Sequence, residues 1–181
     1  MLRLIAALCL LAALVGCGEP PADTEPAASA SDAPTAPIDF TRPTHDGSTF
    51  TLSDHRGDVI VLNFWATWCV PCLAEMPEFI QMQEELRDQG VQFVGVSHDA
   101  GGLDDIRPFA EQLDVNYPLL PDPEMDISAQ FGGVQVLPTT FVLDREGAIH
   151  ASAYGALDRA ELLDLLGGLI DPSQLPTEAE S

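Results

Sequence analysis

The chain has 181 residues, 29 of them Asp or Glu against seven basic residues that are all Arg, which gives a formal charge of −22 at neutral pH. That field opposes nucleic acid and anionic lipid headgroups, so neither is an expected partner. The acids are spread along the chain instead of gathered in a block, a pattern that favours a surface solvated for high salt over one built for a cationic partner.

The amino terminus reads MLRLIAALCLLAALVGC. Arg3 supplies a positive start, Leu4 to Leu14 an apolar run, and Leu14-Val15-Gly16 a small-residue approach to Cys17. The run is well short of the roughly 18 to 20 residues that a membrane span needs. No Ala-x-Ala-like site follows it, and Leu-Val-Gly-Cys resembles the lipobox of bacterial lipoproteins. That resemblance implies an exported protein in which residues 1–16 are removed and Cys17 carries the lipid anchor in a membrane. Cys9 leaves with the signal, and two or three acyl chains anchor durably where one does not. Residues 17–37 are rich in Pro, Ala, Ser and acids, and such a composition cannot bury enough apolar surface to fold. They read as a tether that reaches about 60 Å at about 3.1 Å per residue when extended.

Residues 38–170 suit one compact domain. The stretch FTRPTHDGSTFT predicts a short hairpin, with His45-Asp46-Gly47 at the turn and Thr49-Phe50-Thr51 returning. DVIVLNFWA is a nearly continuous apolar run, the signature of a central strand covered on both faces. Helical character follows the two cysteines and runs to Gln89, where Gly90 ends it; Pro77 is expected to kink this helix. VQFVGVS predicts a second buried strand, and GGLDDIRPFAEQLD a second helix broken near Pro108. DPEMDISAQFGG predicts a short third helix, and TTFVLDREGAIHASAYG a hairpin turning at Arg145-Glu146-Gly147. DRAELLDLLGGLI predicts the last helix, and residues 171–181 form an acidic, frayed tail. Alternating strands and helices of this kind predict an α/β fold with a mixed sheet.

Cys69 and Cys72 stand two residues apart at the end of the first long strand. Structural zinc wants four ligands, and His45, His55, His98 and His150 are not paired at ligand spacing. Soft thiolates bind Cu(I), so a copper-delivery protein using both cysteines and His98 is one alternative; a lone His at a strand end more often belongs to the surface or a turn. A structural bridge closing so small a loop would stabilise less than a long-range one. A working redox couple fits the local geometry, because a helix beginning at Val70 or Pro71 puts Cys69 at its positive end and Cys72 one turn along the same face. A redox-inactive binding module is the remaining alternative.

The motif LSDHRGDVIVLNFWATWCVPCLAEMP, followed far downstream by LPTTFVLDREGAI, resembles the TlpA/ResA-like thiol–disulfide oxidoreductases of the thioredoxin superfamily. The resemblance implies a thioredoxin-like fold with a central mixed sheet flanked by helices, an N-terminal hairpin, and an insert between the second and third core strands. It implies that Cys69 attacks, that Cys72 resolves, and that Pro138 is a cis-proline facing them. Thioredoxin's buried Asp is replaced here by Asn63, which cannot titrate, and Glu75 stands at the group's Glu position. Glu75 is therefore expected to take the Cys72 proton; the plainer alternative is an acid that suits the helix dipole. Trp68 and Leu137 are expected to contact substrate, while Trp65 belongs to the core. With no Lys after the cysteines, thiolate formation leans on the helix end alone, which favours a reducing couple. The expected partners are disulfide-containing client proteins, apocytochrome c among them, and a membrane electron donor of the thiol–disulfide relay type. No cofactor is expected, and the expected location is the extracytoplasmic face of a bacterial membrane.

Overall fold

Residues 38–175 are described in a computed structural model; the signal, the tether with Cys17, and the end of the acidic tail lie outside them. Two short strands, β1 (Thr41–Pro43) and β2 (Thr49–Thr51), form the hairpin around the expected turn, pairing Thr41 with Thr51. The main sheet follows from the apolar runs: β3 (Val59–Trp65), β4 (Val91–Ser97), β5 (Leu119–Pro121), β6 (Thr139–Leu143) and β7 (Ile149–Tyr154), in the order β5-β4-β3-β6-β7. β3, β4 and β5 are parallel, β6 is antiparallel to β3, and β7 is antiparallel to β6. The helices are α1 (Val70–Leu86), α2 (Leu103–Leu113), α3 (Asp126–Gln130) and α4 (Arg159–Leu165). This is the thioredoxin-like arrangement, with α2, β5 and α3 all lying in the connection between β4 and β6, where the insert is expected.

β3 explains why two cores exist. Its side chains alternate between faces with period two. Val59, Val61 and Trp65 join Met76, Phe79, Ile106 and Leu162 on one face, and Ile60, Leu62 and Phe64 join Phe50, Ile127 and Phe131 on the other. Asn63 falls on the first face, which carries α1.

One local expectation needs correcting. α2 runs unbroken through Pro108, because only one internal hydrogen bond is lost and the buried Ile106 and Ala110 on either side hold it to the sheet. α1 is one helix through Pro77, and a 3-10 turn over Arg87–Gln89 carries the chain on to Gly90, which ends it in the left-handed region at φ 72° as expected. β5 answers to no element predicted from the sequence.

At the end of the sheet where β3 and β4 begin, the Arg145 guanidinium donates to three carbonyls, those of Gly57 (2.7 Å), Gln89 (3.0 Å) and Leu169 (3.4 Å). Arg159 ties α4 to α1 through Glu78 at 3.0 Å and Glu85.

Candidate functional site

The parallel strands point their carboxyl ends at one edge, where ligand chemistry in α/β sheets collects. β3 ends at Trp65, the turn Ala66–Trp68 follows, and Cys69 is the N-cap of α1. Pro71 sits in the first turn, where a missing N–H is no loss. The Cys69 Sγ accepts the Cys72 N–H at 3.3 Å, and the two sulfurs are bonded to each other across a Cα separation of 5.3 Å. Both cysteines are buried at this edge. The free N–H groups of a helix start are where a thiolate is favoured once the bond opens.

The Leu137–Pro138 bond is cis, as the resemblance implies. Val136 and Leu137 form one wall of an open groove of about 560 Å³, and Trp68, Cys69, Val70 and Pro71 form the other. Gln135 completes the lining, so no charged side chain borders it. Trp68 is 69% exposed there, in contrast to Trp65, which is buried in the core.

Glu75 stands three residues after Cys72 on the same helix face, and only 3% of its surface reaches solvent. Its Oε1 accepts from Asn63 Nδ2 and its Oε2 from the Leu157 N–H, each at 2.9 Å. Asn63 Nδ2 also donates to Thr140 Oγ1 at 3.0 Å, across the pair that joins β3 to β6. Burial raises the Glu75 pKa from 4.5 to about 7, and the two hydrogen bonds oppose that rise without cancelling it. The neighbouring Tyr117 hydroxyl is also pushed up, by its burial first and by the Glu75 charge second.

This raised value has a consequence for folding. A carboxyl that holds its proton more tightly in the folded chain stabilises the fold fully below about pH 4.5, and the contribution is lost as pH rises through about 7. Denaturant titrations of the disulfide form should show a loss on the order of 3 kcal/mol across that window. Glu75→Gln should flatten it; a slope unchanged in that variant would assign the loss to another group.

His98 follows β4 directly and is half-buried, and it is not a ligand in a cluster among the described residues. Its ring packs against Phe64 at 5.6 Å, its Nε2 is buried without a hydrogen-bond partner among the described residues, and burial lowers its pKa. Among the described residues no three His, Cys, Asp or Glu side chains gather as a metal site, so the Cu(I) alternative gains no support from His98.

Sequence reasoning did not find Thr140, the Leu157 amide or Asp99. Asp99 is buried just past β4 and bonds the turn before Cys69. The only signal for it was an acid two residues after Ser97 at a buried strand end.

Residues 33–152 match the model of the AhpC/TSA family. The thiol–disulfide oxidoreductase ResA of Bacillus subtilis is 30% identical over 153 residues, covering 84% of this chain and 82% of that one. A putative thiol:disulfide interchange protein DsbE from Chlorobium tepidum superposes with a TM-score of 0.64 at 32% identity, covering 71% of this chain and 94% of that one. The pneumococcal exposed lipoprotein thioredoxin of Streptococcus pneumoniae gives 0.62 at 32% identity, covering 71% and 97%.

Proposed function

This chain belongs to the AhpC/TSA family and, within the thioredoxin superfamily, to the TlpA/ResA-like thiol–disulfide oxidoreductases, and from that premise we propose that it reduces protein disulfides outside the cytoplasm while tethered to a membrane through Cys17. The observation that carries the reading is a cysteine pair in the first turn of α1 with a buried carboxyl of raised pKa on the same helix face.

In the reducing direction the Cys69 thiolate attacks one sulfur of a client disulfide. The client S–S bond breaks, one client thiolate leaves, and a mixed disulfide with Cys69 forms. Cys72 then gives its proton to Glu75 and attacks the Cys69 sulfur, which releases the second client thiolate. Two electrons have passed to the client, and the Cys69–Cys72 bond seen here is the spent form. A membrane dithiol donor of the relay type returns it to the dithiol. The uncharged groove supports the reducing direction, because no nearby Lys or Arg adds to the helix end in stabilising the thiolate. Apocytochrome c, whose cysteines must be reduced before haem attaches, is the first client in this reading. The lipoprotein character of the pneumococcal relative supports the anchor.

A Cys72→Ser chain expressed with its own amino terminus should be recovered in the membrane fraction, lipidated on Cys17, and covalently joined to clients through Cys69. A mature chain without lipid on Cys17 removes the tether. Absence of any mixed disulfide returns the reading to Cu(I) delivery or to a redox-inactive binding module.

Trp68 serves as an apolar platform for the client chain. Trp68→Ala should slow exchange with a polypeptide disulfide about fivefold to tenfold, on the order of 1 kcal/mol, and leave exchange with a small disulfide such as oxidised glutathione unchanged. Equal slowing of both substrates would argue for a disturbed site instead of a lost contact.

A further inference from the structure

The turn that presents Cys69 is held by a residue that takes no part in the steps above. Asp99 lies just past β4 and is 3% exposed. Its Oδ2 accepts the Thr67 N–H at 2.9 Å and the Ser97 hydroxyl at 2.6 Å, and its Oδ1 accepts the Thr67 hydroxyl at 2.7 Å. The Asp99 N–H donates back to Ser97 Oγ at 3.0 Å. Beside this knot the His98 N–H donates to the Trp65 carbonyl at 3.0 Å, which extends the β3–β4 ladder by one bond. The same turn is closed by the Cys69 N–H on the Ala66 carbonyl, also at 3.0 Å.

We propose that Asp99 is a positioning residue for disulfide exchange: it fixes the turn Ala66–Trp68 onto the end of β4, and so keeps the Cys69 sulfur at the first turn of α1. The proposal rests on the exchange reading given above.

The requirement for such a device comes from the redox cycle. While the disulfide is closed, the sulfur of Cys69 is held by Cys72. When it opens, Cys69 is held on one side by the first turn of α1, whose Leu73 N–H donates to its carbonyl at 3.1 Å, and on the other by the turn before it, in which Thr67 has both its N–H and its hydroxyl engaged on one buried group. A hydrogen-bonded buried carboxylate is stiff, because releasing it would leave its donors unpaired out of water. Loosening the turn lets the thiolate drift from the helix N–H groups that favour it, which raises the Cys69 pKa and makes the disulfide form relatively more stable.

Substitution separates geometry from charge. Asp99→Asn can keep the whole knot, with its oxygen in the Oδ2 position accepting from Thr67 N and Ser97 Oγ. Its amide then donates to the Thr67 hydroxyl, which can accept as well as donate. Asp99→Ala removes the knot. Thr67→Val removes the hydroxyl arm alone and keeps the backbone bond, and it serves if the alanine variant does not fold.

The measurements are thiolate titration of Cys69, the rate of attack of the dithiol form on oxidised glutathione, and the equilibrium with a glutathione buffer. In Asp99→Ala the titration should move to higher pH and the attack should slow about threefold to tenfold at neutral pH. The disulfide should become favoured by the same factor, a potential about 15 to 30 mV lower. Thr67→Val should move in the same direction by less, and Asp99→Asn should stay near the parent. If Asp99→Asn shifts as far as Asp99→Ala, with the titration falling, the carboxylate acts by its charge and the positioning role is overturned. Variants that lose stability but keep the parent titration, rate and equilibrium overturn it too, by reducing Asp99 to a loop closure. A parent chain without exchange activity would instead undo the exchange reading, and the two failures cannot be confused.

Discussion

Glu75→Gln is expected to slow the resolution of mixed disulfides about a hundredfold while leaving the first attack by Cys69 nearly unchanged. The split arises because the carboxyl meets only one of the two steps: it lies on the Cys72 face of α1, buried away from the groove where clients arrive. A pKa of about 7 suits a group that must accept a thiol proton and later release it near neutral pH. In the parent chain the resolution rate should rise with pH through about 7 and then level. In Glu75→Gln it should climb only with the ionisation of Cys72 itself. The substitution does not break the local network. A Gln amide facing Asn63 can be met by turning the Asn63 amide over, and the Thr140 hydroxyl can then donate where it now accepts. Quenched-flow trapping of the mixed disulfide reads the step directly; parent-like resolution at every pH would leave Glu75 with a purely structural part.

Gly95→Ala should cost about 3 kcal/mol of stability and lower the melting temperature by about 10 °C. Gly95 lies in the middle of β4, paired with Asn63 on one side and Leu119 on the other. A Cβ there would stand 2.5 Å from Leu119 Cδ2 and 2.9 Å from Trp65 Nε1. The backbone cannot retreat, because ladders on both sides hold it, and the Trp65 ring is itself packed against Phe109 at 5.7 Å. Thermal unfolding of the disulfide form decides the matter, and a variant as stable as its parent would mean that the indole has room to shift.

Most of the architecture was legible because the strands at the centre are long apolar runs and the turns carry their own chemistry. His45-Asp46-Gly47 and Arg145-Glu146-Gly147 turn where their residues demand it, and Asp158 and Glu161 form the reciprocal cap that starts α4. β5 was not legible: Leu119–Pro121 is three residues long, follows one proline and ends in another, and shows no period. What makes it a strand is its parallel pairing with Gly95, Val96 and Ser97, which is tertiary information. The site divides in the same way. The cysteines and their helix end follow from local spacing, whereas Glu75 was found through a family position. Its partner amide at Leu157 lies 82 residues away, and its burial depends on how the β7–α4 connection crosses α1. Asp99 left almost no trace, since a buried acid after a strand looks like any turn residue until the turn it faces is known.

The three carbonyls on Arg145 bear on how the molecule breathes. They belong to the segments before β3 and β4 and to the chain after α4, all at the end of the sheet remote from Cys69. That end is fastened, whereas the other must admit a client and let a disulfide open and close. Local openings should therefore start at the cysteine edge and reach the Arg145 clasp last. In hydrogen exchange, the Val59 N–H on the Gly90 carbonyl, at the buried start of β3, should be among the slowest amides, exchanging only when the whole domain unfolds.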